Sequence, residues 1–264
     1  MHRRRISRLP QALALGLILT ASGLGCATGR PVAVTPIASW MPLRSDTRAD
    51  RISLWNHWAD AHLQNGDIVF MRGDCFILMG TVNFSELSAD LTDSRFSHIG
   101  LAAIENGQCY VYDIRNQGCL RTRFGELLAD RDLHQVSIKR HRLASAEATS
   151  RVVAFCRQVY ERREKYDDQL RLDNNRLYCS ELVELAYRSA GYELSEPVAI
   201  QDLPHFDKHQ KAIQFVRAVT SIEPDQLVLL PGNDRLGIWS NPDLELVLDV
   251  PDTKTPRLQS IADQ

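Results

Sequence analysis

Cys179 opens the run CSELVELAYRSAG and so stands at the start of an apolar-periodic helix. There the unpaired amides and the positive end of the helix dipole favour thiolate over thiol. A cysteine so placed suits nucleophilic attack on a carbonyl, provided a base takes its proton. His98, in FSHIGLA, is the candidate base. It starts a strand in which Ile99 and Leu101 alternate with Gly100, and the glycine leaves room for a substrate to approach. An imidazole acting as base must be held in one tautomer by a third polar group. Asp113, in CYVYDI, lies on the next strand and can accept from the ring. Taken singly these residues have plainer readings: a structural cysteine, a satisfied histidine, a strand-end aspartate. Together they form a Cys/His/acid arrangement, whose members meet in space rather than in sequence.

Such a set needs a sheet and a helix packed together. Ile52 to Leu63 has helical spacing, and NGDIVFMRG gives a turn at Asn65-Gly66 and then a strand from Asp67 to Met71. Residues 73–95 read as an insertion with one helical turn near Ser85 to Leu91. His98 to Ile104 and Gln108 to Ile114, joined by Glu105-Asn106-Gly107, form a hairpin by length and turn chemistry. After a helical FGELLAD come a strand from Gln135 to Lys139 and a helix from Ala146 to Glu164 with Cys156 on its apolar side, a buried inert thiol. The Cys179 helix ends at Gly191. Ala212 to Val219 reads as helix, and Gln226 to Leu230 and Leu244 to Leu248 as strands. Few helices with several short strands predict an α+β domain.

The chain has 264 residues, 44% apolar, with 31 Lys+Arg against 33 Asp+Glu, enough for one substantial core and no coiled coil or disordered chain. Arg3, Arg4, Arg5 and Arg8 fall before Gly25, in a stretch without acids, so the rest is acidic and has no basic run. Nucleic-acid partners are set aside. Residues 1–25 read as an export signal with an apolar stretch from Ala12 to Gly25. At about 1.5 Å per residue it reaches roughly 21 Å, short of a bilayer core of about 30 Å. Small residues before Cys26 predict lipoprotein processing, with Cys26 acylated, in preference to plain secretion or an uncleaved anchor. Residues 26–50 would be the tether, and Ala27 after the cysteine favours the outer over the inner membrane. With Cys26 acylated, Cys75, Cys109, Cys119, Cys156 and Cys179 remain, an odd number that leaves a thiol free in an oxidising compartment. A Cys109–Cys119 disulfide is open on sequence grounds. His205 and His209 lack the glutamate of a zinc-peptidase helix and read as a solvated helix face, so neither metal nor other cofactor is expected.

NGDIVF, SHIGLA and LYCSELVELAYRSAG, in this order, resemble the permuted papain-like cysteine hydrolases of the YiiX/YaeF type, relatives of the NlpC-type cell-wall peptidases. In the unpermuted relatives the cysteine motif comes first. The resemblance covers roughly 64–191 and implies a circularly permuted papain-like (NlpC-type) α+β fold, a small antiparallel sheet packed against helices. The catalytic domain would span 51–200, with 201–264 an extension packed on it. It implies Cys179 as nucleophile, His98 as base, Asp113 as the third polar residue, Tyr166 beside the oxyanion with the Cys179 amide, and Asp67 as structural. Tyr178 replaces the aspartate that grips the wall-peptide amine in the unpermuted enzymes, which points to a less charged ligand unless Tyr178 packs into the core. Glu181 is either a helix-start carboxylate or a substrate contact. The expected activity is an envelope-tethered thiol hydrolase of amide bonds, as peptidase or amidase. The alternatives are a lipid ester hydrolase or acyltransferase with the same triad, and a non-catalytic envelope binding module.

Overall fold

The computed structural model describes residues 47–77, 82–130 and 132–253. The expected leader, Cys26 and nearly all of the tether lie outside the described residues. In chain order the elements are α1 (Arg48–His62), β1 (Ile68–Gly73), β2 (Phe76–Ile77), β3 (Val82–Asn83), α2 (Phe84–Leu91), β4 (His98–Glu105), β5 (Gln108–Arg115) and β6 (Gly118–Arg123). There follow α3 (Phe124–Leu128), β7 (Leu133–His141), α4 (Ala146–Glu161), α5 (Cys179–Ser189), β8 (Val198–Ala199), α6 (Gln210–Thr220), β9 (Leu227–Val228) and β10 (Leu244–Val250). Among the described residues no helix is long and apolar enough to cross a membrane.

Six strands form one antiparallel sheet in the order β10-β7-β1-β4-β5-β6. Period-two alternation gives it two apolar faces. Ile68, Phe70, Ile99, Leu101 and Ile114 pack against Val152, Cys156, Leu182 and Val183 of α4 and α5. Val69, Met71, Val111, Val136 and Ile138 pack against Trp55 and Trp58 of α1 and Phe124 and Leu127 of α3. The central strands β1, β4 and β5 are buried on both sides, with α4 and α5 packed on one face. A third, smaller cluster of Ile200, Leu203, Ile222, Val228 and Leu230 lies in the C-terminal part, with Leu87 and Leu91 of α2 against it.

Local chemistry explains the boundaries. Thr47, Asn83 and Ser145 each accept a first-turn amide at the starts of α1, α2 and α4. Glu105 pairs with Gln108, so the β4–β5 turn is the two residues Asn106 (φ 51°) and Gly107 (φ 76°), the positive-φ pair of a tight hairpin. Buried Asp67 accepts from Arg140 at 2.6 and 2.7 Å and from the Gln64 amide at 2.8 Å, tying the start of β1 to β7.

Some expectations need correction. Residues 73–95 hold the β2–β3 ladder and all of α2 rather than a single turn. β6 has no sequence signal, because GCLRTR lacks apolar alternation; pairing with β5 alone makes it a strand. α1 begins at Arg48, within the expected tether. Cys109 and Cys119 are both free, and they pack into clusters on opposite faces of the sheet, which no disulfide can span. His205 and His209 form no solvated helix face: His205 precedes the helical turn, His209 ends a short 3-10 turn, and both rings reach Asp90.

Candidate active site

The Cys/His/acid set converges at one end of the sheet. His98 is the first residue of β4, and its Nε2 lies 2.7 Å from Oδ2 of Asp113 on β5. The β4–β5 register pairs Leu101 with Tyr112, so Asp113 lies across from Gly100 rather than from His98. A Cβ at Gly100 would come within 2.7 Å of the Tyr112 carbonyl oxygen and 3.0 Å of the Asp113 Cβ. The space at Gly100 therefore goes to the close approach of β5, which lets Asp113 reach diagonally to the ring, and not to a substrate as its place in the sequence suggested.

Asp113 is fully buried, and its Oδ2 also accepts from Arg115 Nε at 2.5 Å. Burial alone would raise its pKa; the His98 bond, with the charges of His98 and Arg115, outweighs this and holds the carboxyl below its usual range. Arg115, which also faces Asp130 at 3.7 Å, was not foreseen. Its position two residues after Asp113, on the same side of one strand, was the available signal.

Tyr178 precedes α5 as its N-cap residue and gives no side-chain cap. Cys179 is 7% exposed and the His98 side chain 23%. His98 and the thiol line one cavity, and since Nε2 serves Asp113, the ring nitrogen left for the sulfur is Nδ1. Burial pushes the Cys179 pKa up, but the His98 charge and bond and the Ser180 hydroxyl and amide bring it below the ordinary thiol value. Burial disfavours a charged His98, yet the sulfur and the Asp113 carboxylate raise its pKa to about 9. Near neutral pH both shifts favour a thiolate–imidazolium pair. Cys109, Cys119 and Cys156 are pushed the other way by burial, Cys109 and Cys119 to about 12.

Tyr166 lines the same cavities as Cys179 because the intervening loop closes on itself. Tyr166 bridges Leu177, and the Asp167 carboxylate accepts from the amides of Gln169 and Arg171 and from Asn174 Nδ2 at 2.6 to 3.0 Å. Burial and the nearby Cys179 push the Tyr166 hydroxyl far up, so it stays a donor.

Two cavities meet at Cys179. One, of about 220 Å³, sets His98, Arg115, Asp74, Asp130 and Asp132 among apolar walls such as Met71, Ile114 and Leu133, and includes the cysteine. The exposed Cys75 also lines it, a second thiol that the sequence did not mark as part of the site. The other, of about 110 Å³, is apolar and does not include His98. Phe84, Ser97, Tyr166 and Cys179 border both. An open hollow of about 750 Å³ near Glu86, Asp90 and Arg95 contains neither Cys179 nor His98 and has no part in this chemistry. Tyr178 lines the apolar cavity, with its hydroxyl accepting the Leu229 amide at 2.7 Å. Glu181 is 3% exposed, sits in the first turn of α5, and is absent from the described lining of both cavities. Burial raises its pKa to about 8.

A permuted strand order, a helix-start cysteine, and a strand histidine held by a buried acid define a papain-like thiol hydrolase fold. Residues 62–232 match the family model described as permuted papain-like amidase enzyme, YaeF/YiiX, C92 family, and the chain belongs to that family. No curated protein matches it. Among solved structures it is similar to one titled as the metalloprotein yiiX from Escherichia coli O157:H7, with TM-score 0.59 and 20% identity over 71% of this chain and 97% of that one. Among the described residues here no group of three or more His, Cys, Asp or Glu is arranged to hold a metal ion.

Proposed function

We propose that the protein is an envelope-tethered thiol hydrolase of amide bonds that works through Cys179, His98 and Asp113. The observation that carries this reading is geometric: His98 Nε2 lies 2.7 Å from buried Asp113, and His98 shares one cavity with Cys179 at the head of α5, where the directions of both pKa shifts favour an ion pair. The Cys179 thiolate attacks the amide carbonyl, and the oxyanion is met by the Tyr166 hydroxyl and the Cys179 amide. As the C–N bond breaks, His98 gives its Nδ1 proton to the departing amine, leaving an acyl thioester on Cys179. Water then attacks the thioester, His98 takes a proton from it, and the C–S bond breaks to release the acid and restore the thiolate. Asp113 holds the ring in the tautomer and orientation these steps need. Exported by its leader and acylated at Cys26, the protein would be held to a membrane, the outer one in preference to the inner, and act on substrates of the envelope.

Reaction with iodoacetamide at neutral pH tests the ion pair. Cys179 is expected to alkylate at least about tenfold faster in the native protein than in His98→Ala. Equal, slow alkylation in the two proteins refutes it. Intact-mass detection of an acyl adduct on Cys179 after exposure to envelope extract tests the thioester, and sedimentation of native protein but not Cys26→Ala with membranes tests the tether.

A further inference from the structure

We propose that Cys75 and Cys179 form a reversible disulfide when a hydroperoxide oxidises the nucleophile, so that the cleft is a site of redox modification as well as of hydrolysis. The proposal rests on the thiolate half of the thiol-hydrolase reading and adds a second chemistry at the same sulfur. Both cysteines are free, and both line the cavity of about 220 Å³ that contains His98 and Arg115. Cys109, Cys119 and Cys156 are buried in the apolar clusters on the two faces of the sheet, so Cys75 is the exposed thiol among the described residues.

The fold fixes where Cys75 stands. Met71 on β1 pairs with His98 on β4, and β1 then runs on to Gly73 against Leu133 of β7. Beyond it the backbone is pinned on both sides of the thiol. The Asp74 amide donates to the Asp132 carbonyl at 2.8 Å, the Cys75 amide to Asn83 Oδ1 at 3.2 Å, and the Phe84 amide to the Cys75 carbonyl at 2.8 Å. Phe84 in turn borders both cavities at Cys179. Cys75 is thus held on the wall of the cleft, near enough for its charge and that of Cys179 to act on one another and on Tyr166.

Electrostatics sets the order of events. Burial and the Cys179 sulfur push the Cys75 thiol above its ordinary value, although Arg115 pulls it down, so near neutral pH Cys75 stays protonated while Cys179 is the thiolate. The thiolate is the form that peroxides oxidise. It attacks one oxygen of hydrogen peroxide, an S–O bond forms as the O–O bond breaks, and the departing hydroxide takes the His98 proton and leaves as water. The sulfur is oxidised by two electrons to a neutral sulfenic acid, and the peroxide is reduced. With the negative charge on Cys179 gone, Arg115 remains to favour a Cys75 thiolate. Cys75 gives its proton to the now neutral His98 and attacks the Cys179 sulfur. The S–S bond forms, the S–O bond breaks, and hydroxide leaves as a second water with that proton. The disulfide withdraws the nucleophile from amide cleavage and keeps it from irreversible oxidation to sulfinic acid.

The test treats the native protein with excess hydrogen peroxide, caps free thiols with N-ethylmaleimide, digests without reduction and maps the peptides by mass spectrometry. A peptide pair joined through Cys75 and Cys179 is expected, with iodoacetamide reactivity of Cys179 that is lost to peroxide and returns with dithiothreitol. In Cys75→Ser, shown to be folded by its melting temperature, Cys179 should pass to sulfinic acid, and the share recovered by dithiothreitol should be at least about tenfold lower. Cys179 joined to any other cysteine, or irreversibly oxidised in the native protein as fast as in Cys75→Ser, overturns the proposal. Mapping after the thiol oxidant diamide at about pH 9, where an ordinary exposed thiol also ionises, separates the two readings. If Cys179 alkylates rapidly at neutral pH but neither oxidant joins it to Cys75, the disulfide falls and the hydrolase reading stands. If Cys179 alkylates no faster than in His98→Ala yet diamide joins the pair, the disulfide stands and the thiolate reading falls.

Discussion

Replacing Asp113 by Asn keeps the shape of the side chain and removes the charge that holds His98 protonated. The pair is 2.7 Å apart and Asp113 is fully buried, so solvent screens it little. A hydrogen bond to a charged group in such a setting contributes about 1.5 to 3 kcal/mol. At about 1.4 kcal/mol per pKa unit, the midpoint of His98 should fall by roughly one to two units. From about 9 in the native protein it should therefore move to the region of 7 to 8. Since His98 is what lowers the thiol pKa, the Cys179 midpoint should rise at the same time. The ion pair exists between the two midpoints, so its pH window narrows from both sides. The assay is NMR titration of the His98 ring, paired with the pH dependence of Cys179 alkylation by iodoacetamide. A His98 midpoint that moves by less than about 0.3 unit in Asp113→Asn would refute the coupling, whatever became of activity.

Tyr166→Phe removes one oxyanion donor while keeping the ring in place, so kcat should fall by about a hundredfold or more with the melting temperature unchanged. Gly100→Ala forces a Cβ against the Tyr112 carbonyl and Asp113; calorimetry should show a loss of about 1 to 3 kcal/mol, and full stability would mean that β5 can yield. Glu181 has a folded pKa of about 8, above its ordinary value near 4.5, and its Oε2 has no partner. The folded protein therefore takes up a proton between those values, and the group's contribution to stability falls as pH rises from 4.5 and is lowest above 8. Glu181→Gln should accordingly raise the melting temperature at pH 8.5 and leave it nearly unchanged at pH 5, whereas equal effects at both would contradict a buried carboxyl. Asp67→Ala leaves Arg140 without its buried partner and should cost about 3 to 5 kcal/mol, read by denaturant unfolding.

Local chemistry alone determined much of this protein. Apolar periodicity marked the helices carrying Val152 and Leu182, and alternation marked the strands carrying His98 and Asp113. Asn106-Gly107 fixed the hairpin, because few residues other than asparagine and glycine adopt positive φ without strain. The order of the glycine-aspartate, histidine and cysteine motifs pointed to the permuted fold and to three of the residues that meet in the site. The sequence did not show which atoms face one another, since that depends on register and packing between segments far apart in the chain. Only the pairing of β4 with β5 puts Asp113 across from Gly100 and within reach of His98, and only the full burial of Asp113 beside the half-buried ring lets their charges shift each other. Cys109 and Cys119 lie ten residues apart on neighbouring strands, yet the sheet assigns them to opposite faces. The apolar cavity is lined by residues from Phe84 to Pro231. No short stretch encodes it, because a cavity is a property of surfaces brought together and not of any one segment.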